Sequence, residues 1–110
     1  MRARRTDLKH SEVLKAIRGV LGWECMSLHA QGHGVEDILV AVPAPDDPTW
    51  FGFWLLLEVK VPEERVDKSI IYFRYTPAQI RWRELTKGWP RITAVSAEDA
   101  IAQLRERGFA

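Results

Sequence analysis

The sequence predicts a single α/β domain in which a central mixed β-sheet is flanked by helices, with its elements in the order α-β-β-β-α-β-α. The chain has 110 residues, of which 46% are hydrophobic, and this is enough for one compact domain with one core. Short runs rich in Ile, Leu and Val alternate along the chain with segments of helical periodicity. Glycine, proline and helix-capping residues separate these segments. We therefore predict one domain over residues 1–110.

The first half of the chain predicts a basic arm, a helix and two strands. Residues 1–7 form the arm, which either binds phosphates or is a solvated tail. Apolar residues recur at helical spacing from about residue 8 to residue 21, and Gly22 is a helix stop signal. Residues 23–29 and 37–42 are predicted strands, and a glycine-containing turn joins them.

The third predicted strand, residues 51–61, is the central one. Residues 43–48 before it contain three prolines and form a loop. The strand is apolar on both faces over residues 53–57, which is typical of a strand that is buried on both sides. Pro62 ends the strand. Residues 63–75 predict no single element, and a lid, a short helix and a strand all remain open.

A second long helix follows, and its first turn carries strong start signals. Thr76 is the predicted N-cap, Pro77 occupies the first helical position, and Gln79 occupies the third. The rest of the chain predicts a fourth strand at residues 91–95. It also predicts a last helix, which begins with a serine cap and has two acidic residues in its first turn.

Composition restricts the class of protein. The net charge of +1 by itself indicates no nucleic-acid partner, but 11 of the 16 cationic residues are Arg, which binds phosphate in a bidentate fork. An ion-paired surface explains the same excess. Cys25 is the only cysteine, which excludes an internal disulfide and a Cys-based zinc site and favours a reducing, cytoplasmic setting. The longest apolar run, residues 50–57, is far shorter than the ~18 residues of a membrane span, so no membrane partner is expected.

Three ionisable residues stand at strand ends in a pattern that predicts chemistry. Asp37 opens the second strand in G-V-E-D-I-L-V-A, and Glu58 and Lys60 close the third in L-L-L-E-V-K-V. Residues two apart on a strand share a face, and the loop between the strands brings Asp37 and Glu58 to the same end of the sheet. Two carboxylates with open positions beside them suit Mg²⁺. The alternative is an exposed cross-strand ion pair, which contributes little to stability.

On these residues the chain resembles the PD-(D/E)xK nuclease superfamily. The signature of that superfamily, an acid at a strand start and then (D/E)-x-K on the next strand, corresponds to Asp37 and to E-V-K at residues 58–60, with Glu36 in place of the usual proline. Through G-H-G-V-E-D-I-L-V, L-L-L-E-V-K-V-P, Y-T-P-A-Q-I-R-W and I-T-A-V-S-A-E-D-A, residues 8–104 are similar to small VRR-NUC-type nucleases of phage and bacteria. Archaeal-type Holliday junction resolvases share the core and an acid on the first helix. The resemblance implies a restriction-endonuclease-like core.

The resemblance also implies roles for the residues at the strand ends. Asp37 and Glu58 would bind Mg²⁺, with Mn²⁺ as an alternative, and the backbone carbonyl of Val59 would complete the ligand set. Lys60 would orient the attacking water or stabilise the charged transition state.

Two helix residues match further positions of the family. Glu12 matches the acid of the first helix, which assists the metal site, although a solvated helical Glu explains it equally simply. Gln79 matches a glutamine near the site, but Thr76-x-x-Gln79 is a capping box by itself, and both interpretations remain open. Glu36 is a candidate for a supporting acid or an acid for a third metal, and Trp82 is most simply a core residue.

The predicted DNA contacts are a loop histidine and a set of basic residues. His33 lies between two glycines just before Asp37 and is a candidate for contact with the scissile phosphate, although a lone loop histidine is more often incidental. Phosphate contacts of this kind position DNA without reading its sequence. The other candidates are Arg2, Arg4, Arg5, Arg65, Lys68, Arg74, Arg81 and Arg83. Tyr72 and Tyr75, beside basic residues, favour an interface over the core.

The resulting expectation is a Mg²⁺-dependent endodeoxyribonuclease that resolves Holliday junctions or cuts related branched DNA in a bacterial or phage-infected cell. A domain of this size is expected to recognise DNA shape, and a homodimer would place two sites for paired cuts across a four-way junction. The alternatives are a nicking, flap, replication-fork or exonuclease activity, or a non-catalytic DNA-binding or assembly protein of the same fold. The sequence has no P-loop, G-x-S-x-G, H-E-x-x-H or Rossmann glycine pattern.

Overall fold

The computed structural model of the chain describes residues 2–44, 51–60 and 75–107, and within these ranges it omits the side chains of residues 2–8. Its main elements follow the predicted order α-β-β-β-α-β-α. They are α1 (Arg2–Ala16), β1 (Cys25–Ser27), β2 (Ile38–Val42), β3 (Phe53–Val59), α2 (Pro77–Leu85), β4 (Arg91–Ala94) and α3 (Ala97–Glu106). A π-helical turn (Ile17–Leu21) extends α1, and a short 3-10 turn (His29–Gln31) follows β1.

The four strands form one mixed sheet in the order β1-β2-β3-β4. The pairs β1–β2 and β2–β3 are antiparallel, and β3 pairs with β4 in parallel. The described part of the chain is therefore an α/β structure with a mixed sheet, as predicted. The central position of β3 is also confirmed, because β3 has a neighbour on each side and residues 55–59 are all buried.

The N-terminal helix is longer than predicted. It begins at Arg2, so residues 2–7, expected to form an arm, are the first turns of α1. The predicted stop at Gly22 is confirmed, because this glycine adopts the left-handed conformation (φ 70°) and its N–H bonds to the carbonyl of Ile17. The Arg18 guanidinium donates to the Cys25 carbonyl at 2.8 Å, which connects the end of the helix to β1.

The two predicted helix caps are both present. Thr76 Oγ1 accepts a hydrogen bond from the backbone N–H of Gln79 at 3.2 Å, and Gln79 Oε1 accepts one from the N–H of Thr76 at 2.9 Å. Together these bonds form a capping box at the start of α2. Ser96 Oγ accepts from the N–H of Asp99 at 3.1 Å, and this bond caps α3.

The sheet has a core face and a site face. Alternate residues of the strands, among them Ile38, Leu57 and Ile92, pack against α1 and α3 and form the hydrophobic core. Because side chains alternate along a strand, Glu58 and its register partner Thr93 point to the opposite face. Side chains from α2 and from the residues just before it contact that face, and this arrangement positions the candidate site.

The strands are shorter than predicted by one or two residues at one or both ends. Most of the proline-rich loop at residues 43–48 and nearly all of residues 63–75 lie outside the described residues. No helix in the described part of the chain is both long and apolar enough to cross a bilayer.

Candidate active site

The register of the sheet brings Asp37 and Glu58 side by side. Ile38 pairs with Leu57 across β2 and β3, so the residue before Ile38 lies beside the residue after Leu57. Asp37 Oδ2 accepts a hydrogen bond from the backbone N–H of Val59 at 2.8 Å, and the side chains of Asp37 and Glu58 are hydrogen-bonded to each other. The predicted approach of these two carboxyl groups at one end of the sheet is confirmed.

Glu58 is buried beside a second negative charge. Only 5% of its surface is exposed. This desolvation, with the charge of Asp37 and the hydrogen bond to it, raises the pKa of Glu58 from 4.5 to about 9, and Glu36 adds to the rise. The positive charge of Lys60 opposes the rise but does not cancel it. Without a further cation, one carboxyl group of the pair therefore keeps a proton at neutral pH.

Lys60 lies close to this pair at the end of β3. Its backbone N–H donates to the carbonyl of Ala94 at 3.0 Å, which anchors it to the end of β4. Its ammonium nitrogen lies 4.9 Å from the centre of the Tyr75 ring, and the guanidinium carbon of Arg83 lies 4.5 Å from the same centre. The Tyr75 hydroxyl is hydrogen-bonded to Thr93 Oγ1 at 3.1 Å, so the ring is fixed to the sheet beside Glu58.

Gln79 takes part in two contacts through the opposite ends of its amide. Its oxygen accepts from Thr76 in the capping box, and its nitrogen donates to Glu58 Oε1 at 3.5 Å. The two interpretations left open by the sequence are therefore compatible. The capping bond fixes the amide orientation that directs its donor toward Glu58.

Glu36 belongs to a buried cluster that sequence reasoning described incompletely. Its carboxylate is 1% exposed, and Trp82 Nε1 donates to Oε2 at 2.6 Å. Arg91 Nε lies 3.3 Å from Oε1. The sequence predicts Trp82 as a core residue, but the structure shows it half-buried and bonded to Glu36; Arg91 is not among the site residues that the sequence predicts. The sequence signal is limited to an arginine at the start of a predicted strand, because no local pattern indicates that this strand pairs with β3.

The loop before Asp37 rests on the first turn of α2. His33 and Gly34 both have positive φ angles, 56° and 78°. A Cβ atom on Gly34 would overlap the backbone of Ala78 and Gln79. His33 is exposed and, with Arg81 and Trp82 among others, lines a cavity of about 480 Å³ on this helix.

Two further candidate residues, Glu12 and Val59, place no side-chain ligand beside Asp37 and Glu58 in the described part of the chain. Glu12 is an exposed residue of α1, and the described residues contain no group of three or more His, Cys, Asp or Glu side chains that could hold a metal. Glu12 therefore does not complete a three-acid set with Asp37 and Glu58 in this structure. The side chain of Val59 packs in the core, and its backbone N–H is bonded to Asp37.

The predicted DNA contacts are only partly described. Arg81 is exposed on α2, whereas Arg83 is half-buried against Tyr75. The backbones of Arg2, Arg4 and Arg5 lie in the first turns of α1, but their side chains are outside the described part. Arg65, Lys68, Arg74 and Tyr72 also lie outside the described residues.

The donor set suits a divalent cation bound through two carboxylates. Mg²⁺ is commonly held by one or two carboxylates together with waters and substrate phosphate. Burial, and after it the neighbouring charge of Asp37, raise the pKa of Glu58, and a cation between the two groups would favour their ionised forms.

Comparisons of the chain with protein-family models, with curated proteins and with solved structures found no match.

Proposed function

We propose that this chain is a metal-dependent endodeoxyribonuclease with a restriction-endonuclease-like core. The observation that supports the proposal is the buried contact between Asp37 and Glu58 at the end of β3, with the charge of Lys60 beside it. These are the residues on which the chain resembles the PD-(D/E)xK nucleases. The mixed four-stranded sheet flanked by helices is compatible with such a core.

Each residue of the site has a physical role in the proposed reaction. A bound Mg²⁺ or Mn²⁺ would lower the pKa of a water molecule and offset the charge that develops on the phosphate. Asp37 and Glu58 would hold the ion, and Asp37 is oriented for this by the N–H of Val59. Gln79 directs a donor at Glu58. Lys60 would supply a positive charge to the attacking water or to the phosphate oxygens.

We propose branched DNA, and in particular a four-way junction, as the substrate. The support is the similarity to archaeal-type Holliday junction resolvases, together with the exposed side chains of His33 and Arg81, which line a cavity on α2, the helix that also carries Gln79. A symmetric dimer would present two such sites for paired cuts. A bacterial or phage-infected cytoplasm is the setting we propose, and the buried free thiol of Cys25 is compatible with it.

The test is a cleavage assay with Mg²⁺ on synthetic four-way, flap and linear DNAs. We expect the wild-type protein to cut the four-way junction, and we expect Asp37→Ala and Glu58→Ala to abolish cutting. Glu106→Ala, which removes an exposed acid from the end of α3, is the control and should cut normally.

Other outcomes separate the alternatives. Preference for flaps, linear duplex or single-stranded ends would replace the junction assignment with another nuclease activity. Cleavage that survives both substitutions would show that the site is misassigned. DNA binding without cleavage in either Mg²⁺ or Mn²⁺ would favour a non-catalytic DNA-binding protein of the same fold.

A further inference from the structure

Glu36 is a buried carboxylate that the proposed chemistry does not use. It directly precedes Asp37 in the chain, and its side chain is 1% exposed. Burying a carboxylate is costly unless hydrogen bonds or an opposite charge compensate it. The partners of Glu36 therefore indicate what this residue does.

Both partners of Glu36 come from elements that follow the candidate site in the chain. The indole of Trp82, on α2, donates to Oε2 at 2.6 Å. The guanidinium of Arg91, at the start of β4, lies 3.3 Å from Oε1 and is itself half-buried. Oε1 and the Arg91 Nε have no aligned hydrogen bond, so this contact is mainly an attraction between charges. Trp82 supplies the directional bond.

Arg91 extends the cluster to the far end of α2. Its guanidinium donates to the carbonyl of Arg83 at 3.3 Å and to the carbonyl of Thr86 at 3.2 Å, and it also bonds to the Thr86 hydroxyl. These groups lie at the C-terminal end of the helix, where carbonyls need donors. A single buried acid beside Asp37 is thus connected, through two side chains, to the middle and the end of α2.

The same helix carries Gln79 at its start. Trp82 follows Gln79 by three residues, so the two side chains lie on neighbouring positions of one helix face. Gly34, two residues before Glu36, touches the backbone of this first turn. The loop that carries Glu36 therefore fixes both the distance and the rotation of α2 relative to the acidic pair.

We propose that Glu36, Trp82 and Arg91 form a clamp that positions α2, so that the Gln79 amide holds Glu58 in the conformation that binds the metal. This inference rests on the proposed function, because it takes Asp37 and Glu58 as the metal ligands. In this account Glu36 is a positioning residue, with its oxygens directed at Trp82 and Arg91. It also explains why a buried acid occupies the place of the usual proline.

The first test is the variant Trp82→Phe, which keeps an aromatic ring and removes the N–H donor. We expect Mn²⁺ affinity, measured by calorimetry, to fall about 10-fold, as is typical when a residue that supports a metal ligand is removed. We expect kcat for junction cleavage to fall while KM for DNA is unchanged, because the N–H that is removed is bonded to the buried Glu36 and the aromatic ring is kept. Trp23→Phe, the same substitution at a core-packed tryptophan outside the cluster, is the matched control.

A double-variant cycle tests the route through Gln79. If the clamp acts by positioning Gln79, then Gln79→Ala combined with Trp82→Phe should bind Mn²⁺ no more weakly than Gln79→Ala alone. If the losses of Mn²⁺ affinity in the two single variants add in full in the double variant, the clamp does not act through Gln79 and the inference is overturned. Thr86→Val, which removes one anchor of Arg91, provides a milder variant should Trp82→Phe fail to fold. Thr86→Val should also weaken Mn²⁺ binding, but by a smaller factor than Trp82→Phe.

The remaining outcomes separate this inference from the proposed function. If the wild type binds Mn²⁺ and cleaves DNA, but Trp82→Phe behaves like Trp23→Phe, the clamp is overturned and the proposed function stands. If the wild type neither binds Mn²⁺ nor cleaves any DNA, both are overturned. Melting curves of all variants show whether a loss of affinity exceeds the loss of folded protein.

Discussion

At the end of the sheet, Glu58 combines burial with a neighbouring negative charge, and both disfavour its ionised form. Glu58 is buried beside Asp37, and its raised pKa means that the folded chain holds a proton that the unfolded chain releases. Lys60 and Gln79 each direct positive charge or a donor toward the pair, yet they do not balance it. In the proposed function, a bound divalent cation would supply the positive charge that this pair lacks.

The pH dependence of stability follows from Glu58. The pKa of Glu58 is about 9 in the folded protein, whereas its ordinary value is 4.5. Between pH 4.5 and pH 9 the folded state therefore binds more protons than the unfolded state. The contribution to stability is therefore present below pH 4.5 and is lost as the pH rises toward 9. Glu58→Gln should remove this loss and stabilise the metal-free protein at pH 8 by about 1 kcal/mol or more.

Urea unfolding of both proteins in EDTA from pH 5 to pH 9 measures this difference. The gap between Glu58→Gln and the wild type should widen with pH. A gap that is constant with pH would mean that Glu58 is not protonated in the folded protein.

Tyr75 provides a second test at this scale. Its ring contacts the Lys60 ammonium, and its hydroxyl bonds to Thr93. Tyr75→Leu removes the ring and should lower kcat about 10-fold, since misplacing a catalytic charge weakens transition-state stabilisation. Tyr75→Phe keeps the ring and should retain most activity. Equal losses in single-turnover assays of the two variants would assign the effect to the hydroxyl and not to the ring.

At the level of elements, the position of α2 relative to the loop before β2 decides the geometry of the site. The capping box orients Gln79, the buried Glu36 cluster fixes the helix, and Gly34 permits close approach of the two backbones. Other glycines with positive φ, such as Gly22, have open space around them. Gly34 therefore combines a conformational requirement with a steric one.

Gly34→Ala and Gly22→Ala separate these two requirements. Both alanines would have a positive φ, which costs on the order of 1 kcal/mol. Only the alanine at position 34 would also collide with α2, so Gly34→Ala should unfold at the lower temperature and bind Mn²⁺ more weakly than Gly22→Ala. Similar Mn²⁺ affinities in the two folded variants would show that the close approach does not control the site.

The sequence predicted the elements whose signals are local. The caps at Thr76 and Ser96 and the central β3 are confirmed, because capping and hydrophobic runs act over a few residues. The meeting of Asp37 and Glu58 was also predictable, since two consecutive antiparallel strands bring the start of one to the end of the other. The contact between Glu36 and Arg91 was not, because it depends on how α2 returns the chain to pair β4 with β3, and no periodicity encodes that.

At the scale of the whole molecule, one face of the sheet packs in the core and the other carries the residues of the proposed chemistry. One face of the sheet forms the core with α1 and α3, and the other presents Glu58, Thr93 and the residues of α2. Arg81 and His33 line a cavity on α2, the helix whose Gln79 contacts Glu58 on this second face. We expect DNA to approach from this side.

Arg81 tests that direction of approach. If Arg81 contacts a DNA phosphate, Arg81→Ala should weaken binding to all DNA sequences alike and lower the salt slope of the binding constant by about 1. Arg105→Ala removes an exposed arginine from α3 on the core side and should change neither quantity. Fluorescence anisotropy over a range of salt concentrations, with Ca²⁺ in place of Mg²⁺, measures both. An equal effect of the two variants would contradict the proposed orientation.

The central claim, that Asp37 and Glu58 together bind a divalent cation, is tested most directly by anomalous diffraction from crystals soaked in Mn²⁺. The account predicts one strong peak within coordination distance of both carboxylates in the wild type, and its absence in Glu58→Gln. A soaked wild-type crystal with ordered Asp37 and Glu58 side chains and no peak between them would contradict it.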